Sequence, residues 1–167
     1  CQGQNDRDAV LSFGGIAHIV GSSRLETIWN APPRTPTRRV AVINLNFTFG
    51  VLSGSRDEFL TTAIEGCRRA GLDYVVSLHP SEPGPFDDLP VAPEPMSVLL
   101  EDAWVLISRF STVPFEAMAR GVPFVYVNPH REAVPTFANP NGAFGVAFDA
   151  DELSDALVDS IEHRRDY

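Results

Sequence analysis

Two small hydroxyl residues stand where an apolar run gives way to a helix-like run. The stretch ISRFSTVPFEAMARGVPFVYVN covers residues 107–128, and the hydroxyls belong to Ser111 and Thr112. A hydroxyl at such a junction can cap the helix, which is worth about 1 kcal/mol. The same place can also bind a phosphate, because free backbone N–H groups point out of a helix start. Both interpretations stay open, since one hydroxyl can cap while the other binds.

A carboxylate follows this hydroxyl pair at helical spacing. Glu116 comes four residues after Thr112, so the two side chains lie on one face of the predicted helix. The two oxygens of a carboxylate can accept hydrogen bonds from the two hydroxyls of a ribose. The alternative is a charge that faces solvent and has no ligand.

Two histidines are weighed against structural roles. His79 ends an apolar run and precedes Pro80, so it is either a structural residue or a group that serves a phosphate or proton transfer. His130, in the stretch NPHRE, is predicted to be an exposed loop residue. The sequence has no Walker loop, no GxGxxG fingerprint and no metal-ligand cluster. We therefore expect no metal and no resident cofactor.

Short, nearly continuous apolar runs alternate with helix-like segments along most of the chain. The predicted strands are 40–47, 74–79, 104–108 and 123–128, followed by a short apolar piece at 144–148, and the predicted helices are 56–70, 96–102, 112–120 and 151–163. Strands that are apolar throughout are typical of a parallel sheet covered on both faces. The predicted fold class is therefore α/β, a doubly wound parallel sheet. In such a sheet ligands bind beyond the carboxyl ends of the strands.

Composition bounds the class of protein and its partners. The chain has 167 residues, is 44% hydrophobic and carries a net charge of −9, which disfavours nucleic acid and anionic membranes as partners. No apolar run reaches the roughly 18 residues of a membrane span. Two cysteines are too few for a disulfide framework, Cys67 is expected in the core, and a cytoplasmic setting is favoured. Because the chain opens with Cys1, it is expected to be a fragment.

Three stretches resemble a known family. They are HP at 79–80, EPMSVLLEDAWVLISRFSTVPFEAMARGVPFVYVN at 94–128, and IVGSSRLETIW at 19–29, whose part from Arg24 is predicted to be helical. Together they resemble the C-terminal, donor-nucleotide half of GT-B glycosyltransferases. The likeness is to capsule polysaccharide transferases, sialyltransferase-like enzymes and polyglycerol-phosphate polymerases of bacteria. The UDP-N-acetylglucosamine 2-epimerases have a similar stretch.

The resemblance implies a Rossmann-like half of a GT-B fold and a role for each matched residue. The triplet Phe110-Ser111-Thr112 would donate to the phosphates of the donor, and Glu116 would hold the ribose. His79 would contact the phosphate that leaves with the nucleotide. Pro95 and Met96, in the loop that starts at residue 93, would lie near the base. The nucleotide-sugar donor is then a substrate rather than a cofactor.

Two departures from the family pattern refine the expectation. The epimerases carry a Gly-Gly pair after a serine where this chain has Phe110-Ser111-Thr112, which favours the transferases. The acceptor-binding half is absent, and with it any general base that would deprotonate the acceptor. We therefore expect residues 1–18 to be a remnant of a preceding domain and residues 19–167 to form the nucleotide-sugar-binding domain. Residues 1–9 are polar and expected to be frayed.

The favoured hypothesis is the donor-binding half of a glycosyltransferase that transfers a glycosyl group to an acceptor hydroxyl. The isolated half would be inactive, and the whole enzyme would be cytoplasmic or peripheral at the inner membrane. The first alternative is the same half of a UDP-N-acetylglucosamine 2-epimerase. The second is a non-catalytic α/β binding domain, in which the singled-out residues are only caps and surface charges.

Overall fold

The chain folds into two compact units, which span Cys1–Pro32 and Pro33–Tyr167. The structure is a computed structural model that describes residues 3–31, 35–47, 53–82, 86–109, 111–134, 137, 140 and 142–163. The domain boundary predicted between residues 18 and 19 stays a prediction. Among the described residues, no helix has the length and apolar character needed to cross a membrane.

The first unit contains two short helices, α1 (Gln4–Ser12) and α2 (Ser23–Trp29). The expectation of a frayed start is wrong from Gln4 onward. The Gln4 side chain donates to Asp8 at 2.6 Å, a contact one turn apart that supports α1. The hydroxyl of Ser22 accepts the Leu25 N–H at 3.4 Å and so begins α2.

The second unit alternates strands with helices, as the sequence predicts. The strands are β1 (Val40–Leu45), β2 (Asp73–Leu78), β3 (Val105–Ser108), β4 (Phe124–Val127) and β5 (Gly145–Ala147). The helices are α3 (Arg56–Arg69), which follows a 3-10 turn at Ser53–Ser55, α4 (Met96–Asp102), α5 (Val113–Ala119) and α6 (Ala150–Glu162).

The five strands form one parallel sheet in the order β2-β1-β3-β4-β5. The predicted doubly wound sheet is confirmed. All carboxyl ends meet at one edge of the sheet, hereafter the carboxyl edge. The strand order reverses between β1 and β3, and the crevice at such a switch point is where doubly wound sheets bind ligands.

Both faces of the sheet are buried, which explains why its strands are apolar without alternation. The layer that includes residues of α3 and α6 contains Ala41, Ile43, Leu45, Phe59, Cys67, Val105, Ile107, Val125, Val127, Leu153 and Leu157. The layer that includes residues of α4 and α5 contains Val42, Leu100, Leu106, Ala117, Phe124, Tyr126 and Phe137. The prediction that Cys67 belongs to the core is confirmed, since its side chain is fully buried.

Two glycines end helices and return the chain to the sheet. Gly71 and Gly121 follow α3 and α5 with φ of 66° and 68°, a left-handed conformation that glycine adopts without strain. The next residue then donates back to the helix, Leu72 to the Cys67 carbonyl at 3.0 Å and Val122 to the Ala117 carbonyl at 2.9 Å. This six-to-one bond ends each helix in a Schellman motif, directly before β2 and β4.

Candidate functional site

A buried polar pair marks the switch point of the sheet. Asn44 and Ser108 are register partners on β1 and β3, and Asn44 Nδ2 donates to Ser108 Oγ at 2.9 Å. Ser108 Oγ in turn donates to the Arg109 carbonyl at 2.8 Å. The pair fixes the ends of β1 and β3 relative to each other. Sequence reasoning missed it, although a polar residue inside each apolar run was a visible signal.

The hydroxyl pair lies just past the end of β3, and its two members differ. Ser111 Oγ accepts the N–H of Val113, the first residue of α5, at 3.2 Å. Thr112 occupies the N-cap position, yet its side chain makes no capping hydrogen bond. The capping role therefore belongs to Ser111, and the Thr112 hydroxyl is not used by the helix. Phe110 lies outside the described residues.

Glu116 does not face solvent, so that alternative is wrong. The residue is 6% exposed, and it shares the buried side of α5 with Pro114 and Ala117. Burying a carboxylate costs free energy unless hydrogen bonds compensate, so Glu116 is not an ordinary solvent-exposed charge. Its place one turn into α5 puts it near the hydroxyl pair.

His79 follows β2 at the carboxyl edge. Its N–H donates to the Leu45 carbonyl of β1 at 3.0 Å, and its ring Nδ1 accepts the Ser81 N–H at 3.2 Å. A neutral imidazole whose Nδ1 accepts a hydrogen bond carries its proton on Nε2. His79 can therefore offer an Nε2–H donor to a ligand.

The turn that carries His79 is anchored by a buried carboxylate. The Glu82 side chain is 1% exposed, and its Oε2 accepts the Phe47 N–H at 2.9 Å, just beyond β1. The Glu82 N–H donates to the His79 carbonyl at 2.8 Å. The loops after β1 and β2 are thus joined. Nothing in the local sequence distinguishes Glu82 from an ordinary loop acid.

The residue directly after β3 is a buried arginine. Arg109 is 1% exposed, and its guanidinium forms a two-pronged ion pair with Glu132, with Nε donating to Oε1 at 2.6 Å and Nη2 to Oε2. The same guanidinium lies over the Phe47 ring, 5.0 Å from the ring centroid. Burial lowers the pKa of Arg109, and the carboxylate balances the charge.

Glu132 is itself held by two residues of the β4 end. Tyr126 Oη donates to Glu132 Oε1 at 3.1 Å. Asn128 Oδ1 accepts the Glu132 N–H at 2.8 Å, and Asn128 Nδ2 donates to the Glu132 carbonyl at 2.9 Å. The backbone of Arg131 is left-handed, with φ of 54°, within this turn. Burial raises the pKa of Tyr126, and the charge of Arg109 opposes that rise.

His130 is not the exposed loop residue that the sequence predicts. Its side chain is 17% exposed, and its Nε2 lies 3.4 Å from Glu132 Oε2. The correction follows from the Asn128 clamp, which folds this loop back onto the sheet. Burial lowers the pKa of His130, the positive charge of Arg109 lowers it further, and Glu58 acts in the opposite direction.

Pro95 and Met96 begin α4. The Pro95 carbonyl accepts the N–H groups of Val98 and Leu99 at 2.9 and 3.1 Å, and Met96 is half-buried against the second core layer. Because α4 connects two parallel strands, it runs against them and starts on the carboxyl side of the sheet. Both residues therefore lie on the carboxyl side of the sheet, where the resemblance would put the base.

A groove of about 440 Å³ lies beside α4. Its lining follows the helix from Pro93 and Glu94, just before α4, to Asp102 at its end, and includes Val40 at the start of β1. Pro93 starts the loop predicted to lie near the base, whereas the other described residues of the predicted site do not line the groove. Among the residues the structure describes, no cluster of three or more His, Cys, Asp or Glu side chains is placed to hold a metal ion.

The parallel sheet brings the predicted residues to one edge. His79 follows β2 and the hydroxyl pair follows β3, and these strands flank β1. The structure adds Glu82, Arg109, Asn128 and Glu132 at the same edge. Backbone N–H groups, hydroxyls and an imidazole N–H at one edge of a sheet are suited to an anionic ligand.

Comparison with known proteins places the fold. No protein-family model and no curated protein matches the chain. The UDP-GlcNAc 2-epimerase of Methanocaldococcus jannaschii, solved in complex with UDP-GlcNAc and UDP, matches with a TM-score of 0.53 and 16% identity, over 86% of this chain and 43% of that one.

Two further solved structures match over a similar span. For the glycosyltransferase SnogD from Streptomyces nogalater the TM-score is 0.49, with 19% identity over 89% of this chain and 43% of that one. For Arabidopsis thaliana UGT89C1 complexed with quercetin the TM-score is 0.48, with 12% identity over 86% of this chain and 38% of that one. The chain thus spans less than half the length of each. The match to the epimerase confirms the predicted Rossmann-like α/β fold, while the glycosyltransferase half and its bacterial capsule or sialyltransferase type stay predictions.

Proposed function

We propose that this chain is the donor nucleotide-sugar-binding half of a GT-B glycosyltransferase of polysaccharide biosynthesis. One observation carries the proposal. His79 and the hydroxyl pair follow β2 and β3 at the carboxyl edge, on the two sides of β1 and around the switch point where such sheets bind ligands. In the complete enzyme an acceptor hydroxyl attacks the anomeric carbon of the donor, and the nucleotide phosphate leaves.

This half would stabilise the negative charge that develops on the leaving phosphate. The donors are the hydroxyl of Thr112, the backbone N–H groups of the triplet Phe110-Ser111-Thr112 and the Nε2–H of His79. Ser111 can donate as well, because a hydroxyl whose oxygen accepts the Val113 N–H keeps its own O–H donor. A local cluster of donors can bind a small phosphorylated ligand even though the net charge of the chain is −9.

The rest of the nucleotide is assigned to residues on either side of the phosphate. Glu116 accepts from the ribose hydroxyls, and its buried position on α5 supports a defined orientation of the carboxylate. Pro95 and Met96, at the start of α4, lie beside the base. The donor enters as a substrate, so the proposal includes no resident cofactor. A second domain would supply the acceptor site and the general base.

The proposal is tested by titrating the ¹⁵N-labelled 167-residue chain with UDP, CDP, GDP and CMP at about 1 mM, a concentration suited to weak binding. An adenosine nucleotide is the ligand control. We expect the amides of Ser111, Thr112, Glu116 and Ser81 to shift with at least one nucleotide. Thr112→Ala should reduce the affinity, and Thr61→Ala, on exposed α3 surface, should not. Unchanged spectra with all four nucleotides would favour the non-catalytic alternative.

A further inference from the structure

A chain of contacts joins the loops after four neighbouring strands. It starts at Glu82 after β2, whose carboxylate accepts the Phe47 N–H after β1. It continues through the Phe47 ring, which lies under the guanidinium of Arg109 after β3. It ends at Glu132 after β4, the ion-pair partner of Arg109. The contacts follow the order of the strands in the sheet, β2-β1-β3-β4.

The central ion pair is not explained by stability alone. The side chains of Arg109 and Glu132 are 2% and 14% exposed. Removing two charges from water carries a large desolvation cost, and well-packed apolar residues often stabilise a core as much or more. What such a pair supplies is geometry, because the planar guanidinium fork meets a carboxylate in one orientation.

Arg109 is fixed at its backbone as well as at its side chain. Its carbonyl accepts the Ser108 hydroxyl, and its guanidinium is held by Glu132 and packed on Phe47. Ser111 comes only two residues later. Arg109 therefore fixes the end of β3 two residues before the hydroxyl pair.

Glu132 is held in place by residues at the end of β4. The Asn128 side chain bonds both the N–H and the carbonyl of Glu132, and Tyr126 donates to the carboxylate. These bonds aim the Glu132 side chain at Arg109, across the gap between the β4 and β3 loops. The Arg109–Glu132 pair is thus held from both the β3 and the β4 side.

We propose that Arg109 and Glu132 are positioning residues that hold the hydroxyl pair in the geometry a phosphate requires. The inference rests on the proposed function for its ligand, but its structural part stands on the ion pair itself. Preorganised donors bind and stabilise charge better than donors that must first be ordered. Loss of the pair should therefore loosen the hydroxyl pair and weaken the phosphate-dependent part of binding.

The first measurement needs no ligand. Amide hydrogen exchange of Val113, whose N–H donates to Ser111 Oγ, reports the order of this turn. In the double variant Arg109→Met/Glu132→Leu, Val113 should exchange about tenfold faster or more, while Ile107 in β3 stays protected. The same pair of changes at the exposed ion pair, Arg68→Met/Glu65→Leu, is the matched control. Unchanged Val113 exchange with a protected Ile107 overturns the inference.

A milder variant keeps the test decisive if the double variant does not fold. Tyr126→Phe removes one hydrogen bond to Glu132 and leaves the ring in the core. It should speed Val113 exchange in the same direction, by a smaller factor. A folded Tyr126→Phe variant with wild-type exchange at Val113, next to an unfolded double variant, counts against positioning and assigns the network to stability.

The second measurement compares UDP with uridine, which lacks the phosphates. If the pair positions the phosphate donors, the variants should lose about tenfold in affinity for UDP and little for uridine. Equal losses for both ligands would indicate general loosening and overturn the inference. If wild type binds neither ligand while Val113 exchange still responds, the proposed function fails and the positioning of the turn is supported.

Discussion

The N–H of Val113 donates to the hydroxyl oxygen of Ser111 at 3.2 Å, while the neighbouring Thr112 side chain makes no such bond. Ser111→Ala should therefore lower the free energy of unfolding by about 1 kcal/mol, and Thr112→Ala should lower it less. Either change should weaken UDP binding if its hydroxyl donates to the phosphates, and Thr112→Ala should do so with the smaller loss of stability. Denaturant unfolding and NMR titration measure the two quantities. Wild-type affinity in both variants would return the pair to a purely structural role.

Glu116 should couple to the ribose of the nucleotide. Hydrogen bonds to a charged group contribute about 1.5 to 3 kcal/mol each, so Glu116→Gln should weaken UDP clearly and 2′-deoxy-UDP much less. The two proteins and two ligands form a double-mutant cycle, whose coupling energy isolates the contact. Glu162→Gln, on exposed surface at the end of α6, is the matched control. A coupling energy near zero would remove Glu116 from the site.

His130 should make the protein less stable in mild acid. Its pKa in the folded state is lowered, chiefly by burial, so the folded state binds the proton less readily than the unfolded chain. The free energy of unfolding should then be unaffected above the unfolded pKa of about 6.5 and should fall as the pH drops through it toward the folded pKa.

The prediction is checked by denaturant unfolding from about pH 8 to about pH 5. His130→Gln should lose less stability than wild type over the acidic part of this range, and the difference between the proteins should be constant above it. His18→Gln, in the first unit, controls for the loss of a histidine. Parallel curves for wild type and His130→Gln at all pH values would show that His130 does not contribute.

Gly66 allows α3 and α6 to approach closely. A Cβ at this position would lie 2.5 Å from Cδ2 and 2.6 Å from Cγ of Leu153, which is fully buried. Gly66→Ala should therefore cost about 1 to 3 kcal/mol, although the same change in an exposed helix gains about 1 kcal/mol. Gly54→Ala, where a Cβ meets nothing within 4 Å, is the control. A higher melting temperature for Gly66→Ala would mean that Leu153 gives way.

Local chemistry made most of the second unit predictable. Helix α4 matches its predicted bounds of 96–102, and α3 ends one residue earlier than predicted, because Gly71 stops it. The strands were predictable because both faces of a parallel sheet are buried, so apolar residues follow one another without a break. The structure of the first unit was harder to predict. Its polar start indicates a frayed segment, yet α1 forms there.

The amino-acid sequence alone determined the doubly wound fold and the presence of His79 and the hydroxyl pair at strand ends, because these depend on periodicity and on turn chemistry within a few residues. The tertiary structure alone decided which polar residues meet. Asn44 and Ser108 are 64 residues apart, Phe47 and Glu82 are 35 apart, and Arg109 and Glu132 are 23 apart. No local pattern encodes such distances. They are set by the parallel register of the strands and by the docking of each helix, which also decided that Glu116 and His130 turn inward.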